Sequence, residues 1–404
     1  MMKGVLTEII TKEVQMENTT LEQIEKEGVL LDLTTLASFL EQVEDVRHAR
    51  GKQYKFSWIL TLIVLAKLAG EDKPFAIAEW LRLRKRPLVR LFNCDRDKVP
   101  SLNTIRRALA NCDPNRLHKA YKEFLLVNYG GHQSVLVAID GKCLRGTIPK
   151  GSTQGVHLLA AYLPEEGIVL VQVAVEKKEN EISAAPRVLE ALELKGRLVC
   201  GDAMFTQRKL SVQILAQGGD YIWFVKNNQP ALRADVARFF EPVSHAAGWS
   251  SSSLETEEEV TVNKGHQRLE RREMTLIADK TSYLNWPGVE QVFRLKRERT
   301  CLTCGEIQQE TVYGLTSLSP KKMSAAPLMA HIRTYWGIEN GLHHRRDVTL
   351  KEDTTRFAFP EMAEVMAVFN NFIVGLAHKL GFDNLASARR HFDASIANAF
   401  FASP

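Results

Sequence analysis

The spacing of the apolar residues changes at Ser134, and this change constrains the fold more than any other feature of the chain. Before it they recur with helical periodicity, in LLDLTTLASFLEQV, FSWILTLIVLAKLAG, AIAEWLRLRKRPLVRLF, SLNTIRRALANC and NRLHKAYKEFLLVNY. After it come β-branched apolar runs, SVLVAID, HLLAAYL and IVLVQVAVE, separated by the turn-prone TIPKGSTQG and PEEG. A helix (ISAAPRVLEALEL), a strand (RLVCGD), a helix (TQRKLSVQILAQG) and a strand (YIWFVK) follow. Three antiparallel strands, with two more added in parallel through helical crossovers, predict an α/β fold around a mixed five-stranded sheet with flanking helices.

The rest of the chain is divided by the same signals. Residues 1–30 read as a polar arm, 31–128 as an all-helical domain, 133–228 as the first part of the core and 381–404 as a tail. Between them, 229–320 reads as a β-rich insertion carrying VTVNKG, RREMTLIA, VEQVFRLKRER and EIQQETVYGLTSL, and 321–380 as a helical last part of the core. In the helical domain Ser101 or Asn103 can cap a short helix after Pro100. Its Arg106 and Arg107 turn away from Ile105, Ala108 and Leu109, a pattern that suits a helix-turn-helix reader of DNA and equally a plain helix bundle.

With 45% apolar and 25% charged residues the chain can close real cores. No run of 18 apolar residues occurs and the start lacks a secretion signal, so a cytoplasmic protein with no membrane partner is expected. A net charge of +5 says little, but nine Lys or Arg lie between Arg82 and Arg107 against Asp95 and Asp97. Such a stretch either neutralises phosphates or solvates a helix face. The six cysteines suit reduced thiols; Cys301 and Cys304 lack a second ligand pair and read as a hairpin turn rather than a zinc site.

Three acids stand where chemistry could gather. Asp140 closes the apolar strand SVLVAI, and Asp202 closes RLVCG. If those strands are neighbours, their carboxylates repel unless a cation lies between, and Mg²⁺ or Mn²⁺ with oxygen ligands is the natural guest. Glu339 can complete the set from a helix in which Tyr335, His343 and Arg346 share its face. The plain alternative is a pair of turn or cap aspartates and a solvated helix glutamate.

On these residues the chain resembles bacterial insertion-sequence transposases of the DDE class, especially the group that includes the H-repeat-associated proteins. The motifs IDGKCLRG (139–146), KKENEI (177–182), GDAMFTQ (201–207), FVKNNQ (224–229), KGHQRLERR (264–272) and YWGIENGLHHRRDVTLKED (335–353) occur in the family's order. The resemblance implies an RNase H-like core and makes Asp140, Asp202 and Glu339 the three metal-binding catalytic acids. It implies two Mg²⁺ or Mn²⁺ ions per site, double-stranded DNA (element ends and target) as partner, and a homodimer on DNA. Lys142, Arg145 and Lys226 near strand ends, and Lys264, His266, Arg268, Arg271 and Arg272 in the insertion, become phosphate-contact candidates, with Tyr335, His343 and Arg346 around the third acid and Arg106 and Arg107 in the helical domain. Ile332, Tyr335 and Arg346 stand where the wider class has Tyr, Arg and Lys, and Phe205 replaces a common His. A nuclease of the same fold that does not join ends, and a domesticated DNA-binding protein without turnover, are the rival readings.

Overall fold

The computed structural model describes residues 33–48, 52–91, 97–130, 134–176, 178–241, 256–265, 267–279, 282–357 and 359–394. The expected arm at 1–30 and His266 lie outside them. The first described hundred residues are helical: α1 Leu33–Leu40, α2 Phe56–Leu68, α3 Pro74–Leu83, α4 Lys85–Leu91, α5 Leu102–Ala110 and α6 Pro114–Tyr129. Every residue of α2 is buried, since a helix apolar on nearly all sides has no face to offer water; of its polar residues, Thr61 donates to Ser57 O at 2.9 Å and Lys67 pairs with Asp72 at 3.4 Å. Of the two expected caps for α5, Ser101 serves: its hydroxyl accepts from the Thr104 N–H at 3.3 Å. Asp113 caps α6 in the same way, accepting from Asn115 N at 2.8 Å and Arg116 N at 3.2 Å.

The sheet strands are β1 Leu136–Leu144, β2 Val156–Leu163, β3 Ile168–Val175, β4 Leu198–Gly201, β5 Asp220–Val225, β6 Thr256–Gly265, β7 Arg268–Ala278, β8 Gln291–Cys301 and β9 Ile307–Thr316. Interleaved with them are α7 Glu181–Glu190, α8 Arg208–Ala216 and α9 Pro230–Arg238, and α10 Ala325–Tyr335, α11 Pro360–Lys379 and α12 Leu385–Ala394 follow. The order across the sheet is β3-β2-β1-β4-β5-β9-β8-β7-β6. β1 pairs antiparallel with β2 and parallel with β4, β4 pairs parallel with β5, and β9 joins β5 antiparallel. The expectation of five strands is therefore corrected: the insertion's four strands extend the same sheet to nine instead of forming a unit beside it. Backbone pairing causes this, because Ile222–Val225 of β5 would otherwise present an unpaired edge, and β9 covers it.

The two faces of the sheet bury different helices. Leu136, Ala138, Leu198, Cys200 and Phe224 pack into one continuous core with α2, α6, α10 and α11, so the N-terminal helices share their core with the sheet. On the other face Val137, Ile139, Val199 and Trp223 meet α7 and α8 through Ala184, Val188, Leu210 and Ile214. Within the expected tail at 381–404, α12 buries Leu385 and Phe392, and Arg389 pairs with Asp72 at 2.9 Å. Cys301 and Cys304 occupy the β8–β9 turn, where Cys304 N–H donates to Cys301 Sγ at 3.3 Å. Among the described residues no helix is long and apolar enough to cross a membrane.

Beyond α10 the chain winds more loosely, in π-helical turns at Ile338–His343 and Arg345–Thr349. These turns are anchored by Arg346, 1% exposed, which donates from Nε to Glu352 Oε2 at 3.0 Å, from Nη2 to Oε1 at 3.0 Å, and from Nη1 to Asn371 Oδ1 at 3.1 Å. Asn370 Nδ2 donates to the same carboxylate at 2.7 Å. Burial pushes the Glu352 carboxyl up, and Arg346 and Asn370 pull it further down, leaving it below the usual glutamate range. Removing one partner of a buried pair strands the other charge, at about 3–5 kcal/mol. Arg346→Ala and Glu352→Ala are each expected to lose that much in urea denaturation, and Arg346→Met with Glu352→Leu much less.

Candidate metal centre

The site is built at the point where one parallel ladder stops. β1 and β4 pair from Leu136↔Leu198 to Ile139↔Gly201, and there β4 ends. β1 does not end there: it runs on with β2 to Leu144↔Val156. Asp140 is thus the first residue of β1 with no β4 partner, and Asp202 is the first residue after β4. The expectation that Asp140 closes its strand is corrected by this longer ladder, while the expected adjacency of the two strand ends holds.

Asp140 and Glu339 meet over His343. His343 Nδ1 lies 3.2 Å from Glu339 Oε2 and 3.5 Å from Asp140 Oδ2, and one ligand atom from each of the three residues falls within 4.8 Å of the others. The two acids differ in setting. Burial pushes the Asp140 carboxyl up to about 6, against a lowering by His343 and by the Gly141 N–H, which donates to Oδ1 at 2.9 Å. Glu339, more exposed, is held below its ordinary value by its contact with His343. Opposite shifts from one shared imidazole follow from exposure: Asp140 loses more hydration than the imidazole returns.

Asp202 stands outside that trio. Its Oδ1 accepts from Lys226 Nζ at 2.7 Å, and both side chains are exposed. Its strand end nonetheless adjoins that of Asp140, since Ile139 and Gly201, the residues before the two aspartates, are partners in the β1–β4 ladder. The turn after Asp202 is pinned by the FVKNNQ motif, with Asn228 Nδ2 donating to Ala203 O at 2.9 Å and Thr206 Oγ1 donating to Phe224 O at 2.6 Å. Phe205, fully buried, packs in the core beside Ile139.

The other cations and rings expected at the site are placed unequally. Lys142 sits inside β1, nearly buried, and pairs with Asp347 at 2.5 Å. Arg346 is spent on Glu352, and Tyr335 is buried against Phe224 at 5.5 Å between ring centroids, so neither reaches solvent phosphate. Lys226 and Arg145 are exposed, the latter 3.6 Å from Asp353. On the distal sheet, Lys264 and Arg268 are exposed, whereas Arg271 pairs with Glu273 at 2.9 Å and Arg272 with Glu270 at 2.5 Å. Arg106 and Arg107 are exposed and line a cleft of about 680 Å³ with Lys73 and Arg356; among the described residues none that lines it is acidic.

One acid was missed by the reading of the sequence. Glu181 opens α7, its Oε1 lies 2.5 Å from His157 Nε2 on β2, and its charge acts on Asp140. It lies against the backbone of Gly141, where a Cβ would collide with its carboxyl group. The available signal was KKENEI, whose Glu181 is the first residue of α7.

The carboxylates of Asp140 and Glu339 at the end of a parallel ladder, with that of Asp202 on the adjoining strand end, are an oxygen donor set that fits a divalent cation of the Mg²⁺ or Mn²⁺ type, and the His343 imidazole beside them is a nitrogen donor outside that set. The placement of Asp140 speaks for such a cation: its carboxylate is largely withdrawn from solvent beside Glu339 and His343, and a cation there would remove the cost of keeping it ionised. The orphaned, buried His343 Nε2 shows that the imidazole is not fixed by a second protein partner among the described residues.

Comparison with known proteins identifies a family. The sequence profile described as Transposase DDE domain matches residues 131–374, and one described as DDE_Tnp_1-associated matches 37–125. The chain belongs to the transposase DDE-domain family. It is similar to "Putative transposase YncI" of Escherichia coli O157:H7, 29% identical over 357 residues that span 86% of this chain and 88% of the relative. It is also similar to "H repeat-associated putative transposase YhhI" of Escherichia coli K12, 24% identical over 352 residues, 86% of this chain and 91% of the relative. These matches bear out the resemblance read from the motifs.

Two outcomes follow. Gly141→Ala forces the Glu181 carboxyl aside and is expected to cost about 1–3 kcal/mol in denaturant titration, as overpacking does, with most of the loss relieved by adding Glu181→Ala. The Asp140 carboxyl binds its proton more tightly folded than unfolded, so the metal-free protein loses stability as pH rises from the ordinary aspartate range to about 6. Asp140→Asn is therefore expected to melt above the wild type at pH 7 to 8 without metal, the difference closing below pH 4 in a thermal series.

Proposed function

We propose that this chain is a DNA transposase that cuts DNA at the ends of an insertion sequence and joins the freed 3′-hydroxyl to target DNA. The observation that carries the reading is the meeting of Asp140 and Glu339 over His343, beside the strand end that bears Asp202. The first five strands, β3-β2-β1-β4-β5, read as an RNase H-like core, with the later four as its extension.

Asp140, Asp202 and Glu339 would hold two Mg²⁺ or Mn²⁺ ions. When bound, these would supply Lewis-acid stabilisation of the attacking and leaving oxygens in a phosphoryl displacement. Asp202 joins the set by exchanging its ion pair with Lys226, which frees the lysine to turn to a phosphate oxygen. His343, anchored between Asp140 and Glu339, keeps the two carboxylates together before DNA arrives. Exposed Arg145 lies near the same edge of the sheet, and Arg106 and Arg107, with Lys73 and Arg356, offer the duplex backbone a basic cleft. Exposed Lys264 and Arg268 extend the basic surface along the outer strands, where Arg271 and Arg272 would first have to leave Glu273 and Glu270 to reach a phosphate. Two element ends must be held together for joining, so the active form is a homodimer on DNA.

The test is a strand-transfer assay with Mg²⁺ and a pre-cut duplex carrying the sequence that flanks the coding region. Joined products are expected from the wild type, with Asp140→Ala, Asp202→Ala and Glu339→Ala each down by about a thousandfold or more, a loss of roughly 4 kcal/mol of transition-state stabilisation, while DNA binding persists. Hydrolysis without joining would make the chain a nuclease, binding without turnover a domesticated DNA-binding protein, and undiminished activity in the variants would remove the site.

A further inference from the structure

The sheet ends on β6, and among the described residues no strand pairs with its outer edge. An open edge such as that of residues 258–264 is a template for another strand. Its sequence, TEEEVTVNKG, is acidic at the start and basic at the end. Val260, 48% exposed, and Val262, 57% exposed, lie on one face of it, with Glu258 and Lys264, also exposed, before and after them on that face. The opposite face, carrying Glu259 and Thr261, is partly covered by α10, with Thr261 Oγ1 3.9 Å from Met329 Sδ.

We propose that β6 pairs antiparallel with β6 of a second copy of this chain, on a two-fold axis through Thr261. A two-fold perpendicular to a sheet keeps each face on its own side, so only residues whose numbers differ by an even amount can stand opposite one another. Of the registers this leaves, the one centred on Thr261 sets Glu258 against the second copy's Lys264, and Val260 against its Val262, each twice. Shifting the axis by one residue, to Val260 or Val262, breaks both matches: Glu258 then faces Val262, or Lys264 faces Val260. Opposite charges and β-branched pairs across strands stabilise an antiparallel ladder, and like charges weaken it. The second copy thus covers the exposed valines and closes the edge, joining two nine-stranded sheets. The inference deepens the dimer proposed above, but its test needs neither DNA nor metal, so it can fail while the active-site reading stands.

The full chain is examined by sedimentation equilibrium at moderate salt. The wild type is expected to be in monomer–dimer equilibrium. Glu258→Lys places two lysine pairs across the axis, and Lys264→Glu two glutamate pairs; each is expected to raise the dimer Kd about tenfold. The double variant, Glu258→Lys with Lys264→Glu, restores opposite charges and is expected to return within about threefold of the wild type. Circular dichroism checks that these exposed substitutions leave the fold intact. A wild type that remains a monomer, a dimer indifferent to the single reversals, or a double variant as weak as the singles would each overturn the pairing.

Discussion

The parallel register of β1 on β4 is the constraint on which the site depends. Because the ladder stops at Ile139↔Gly201, two chain segments about sixty residues apart deliver their next residues, both aspartates, to neighbouring positions. Because β1 continues along β2, Asp140 is held by backbone pairing on one side while its other side is open. A strand that ended at Asp140 would leave the carboxylate on a loop, where loss of backbone order competes with any ligand. The small residues follow from the same crowding: Gly141 lies beneath Glu181, and a Cβ at Gly201 would press on Ile139 and Phe205.

The charges around this edge form a set of provisional pairs. His343 stands between Asp140 and Glu339, Lys226 holds Asp202, and Lys142 holds Asp347. Only the last is nearly buried on the lysine side; the Lys226 pair is exposed on both sides and contributes little to stability, so exchanging it costs little. Beneath these pairs lies a buried one of another kind, Arg346 with Glu352, which fixes the π-helical turns that follow Glu339. The site therefore combines a rigid base with one carboxylate, that of Asp202, whose present partner is exposed and weakly held.

Much of this was legible in the chain because strands in a parallel core are continuous apolar runs, and an acid at the end of such a run stands out. SVLVAID and RLVCGD announce Asp140 and Asp202 without any knowledge of the family. The length of β1 was not legible, since GKCL has neither apolar continuity nor alternation, and its pairing with β2 is a long-range fact. The nine-stranded sheet was hidden for the same reason: four strands were readable after Thr256, but periodicity cannot say that β9 would join β5. Arg346 was misjudged because helical spacing places it on the face of Glu339, whereas the wider π-helical turn and Glu352, six residues on, carry it into the core. Glu181 went unassigned because a glutamate at a helix start has an ordinary explanation in the helix dipole.

The most direct test of a shared cation site is a map of where the metal cuts the chain. With Fe²⁺ in place of Mg²⁺, ascorbate and peroxide generate hydroxyl radicals at the bound ion, which cleave the nearest backbone. Peptide fragments ending close to Asp140, Asp202 and Glu339, and suppressed by excess Mg²⁺, are the expected result. Fragments clustered elsewhere, or cleavage at only one of the three segments, would contradict the convergence of the acids on a common ion.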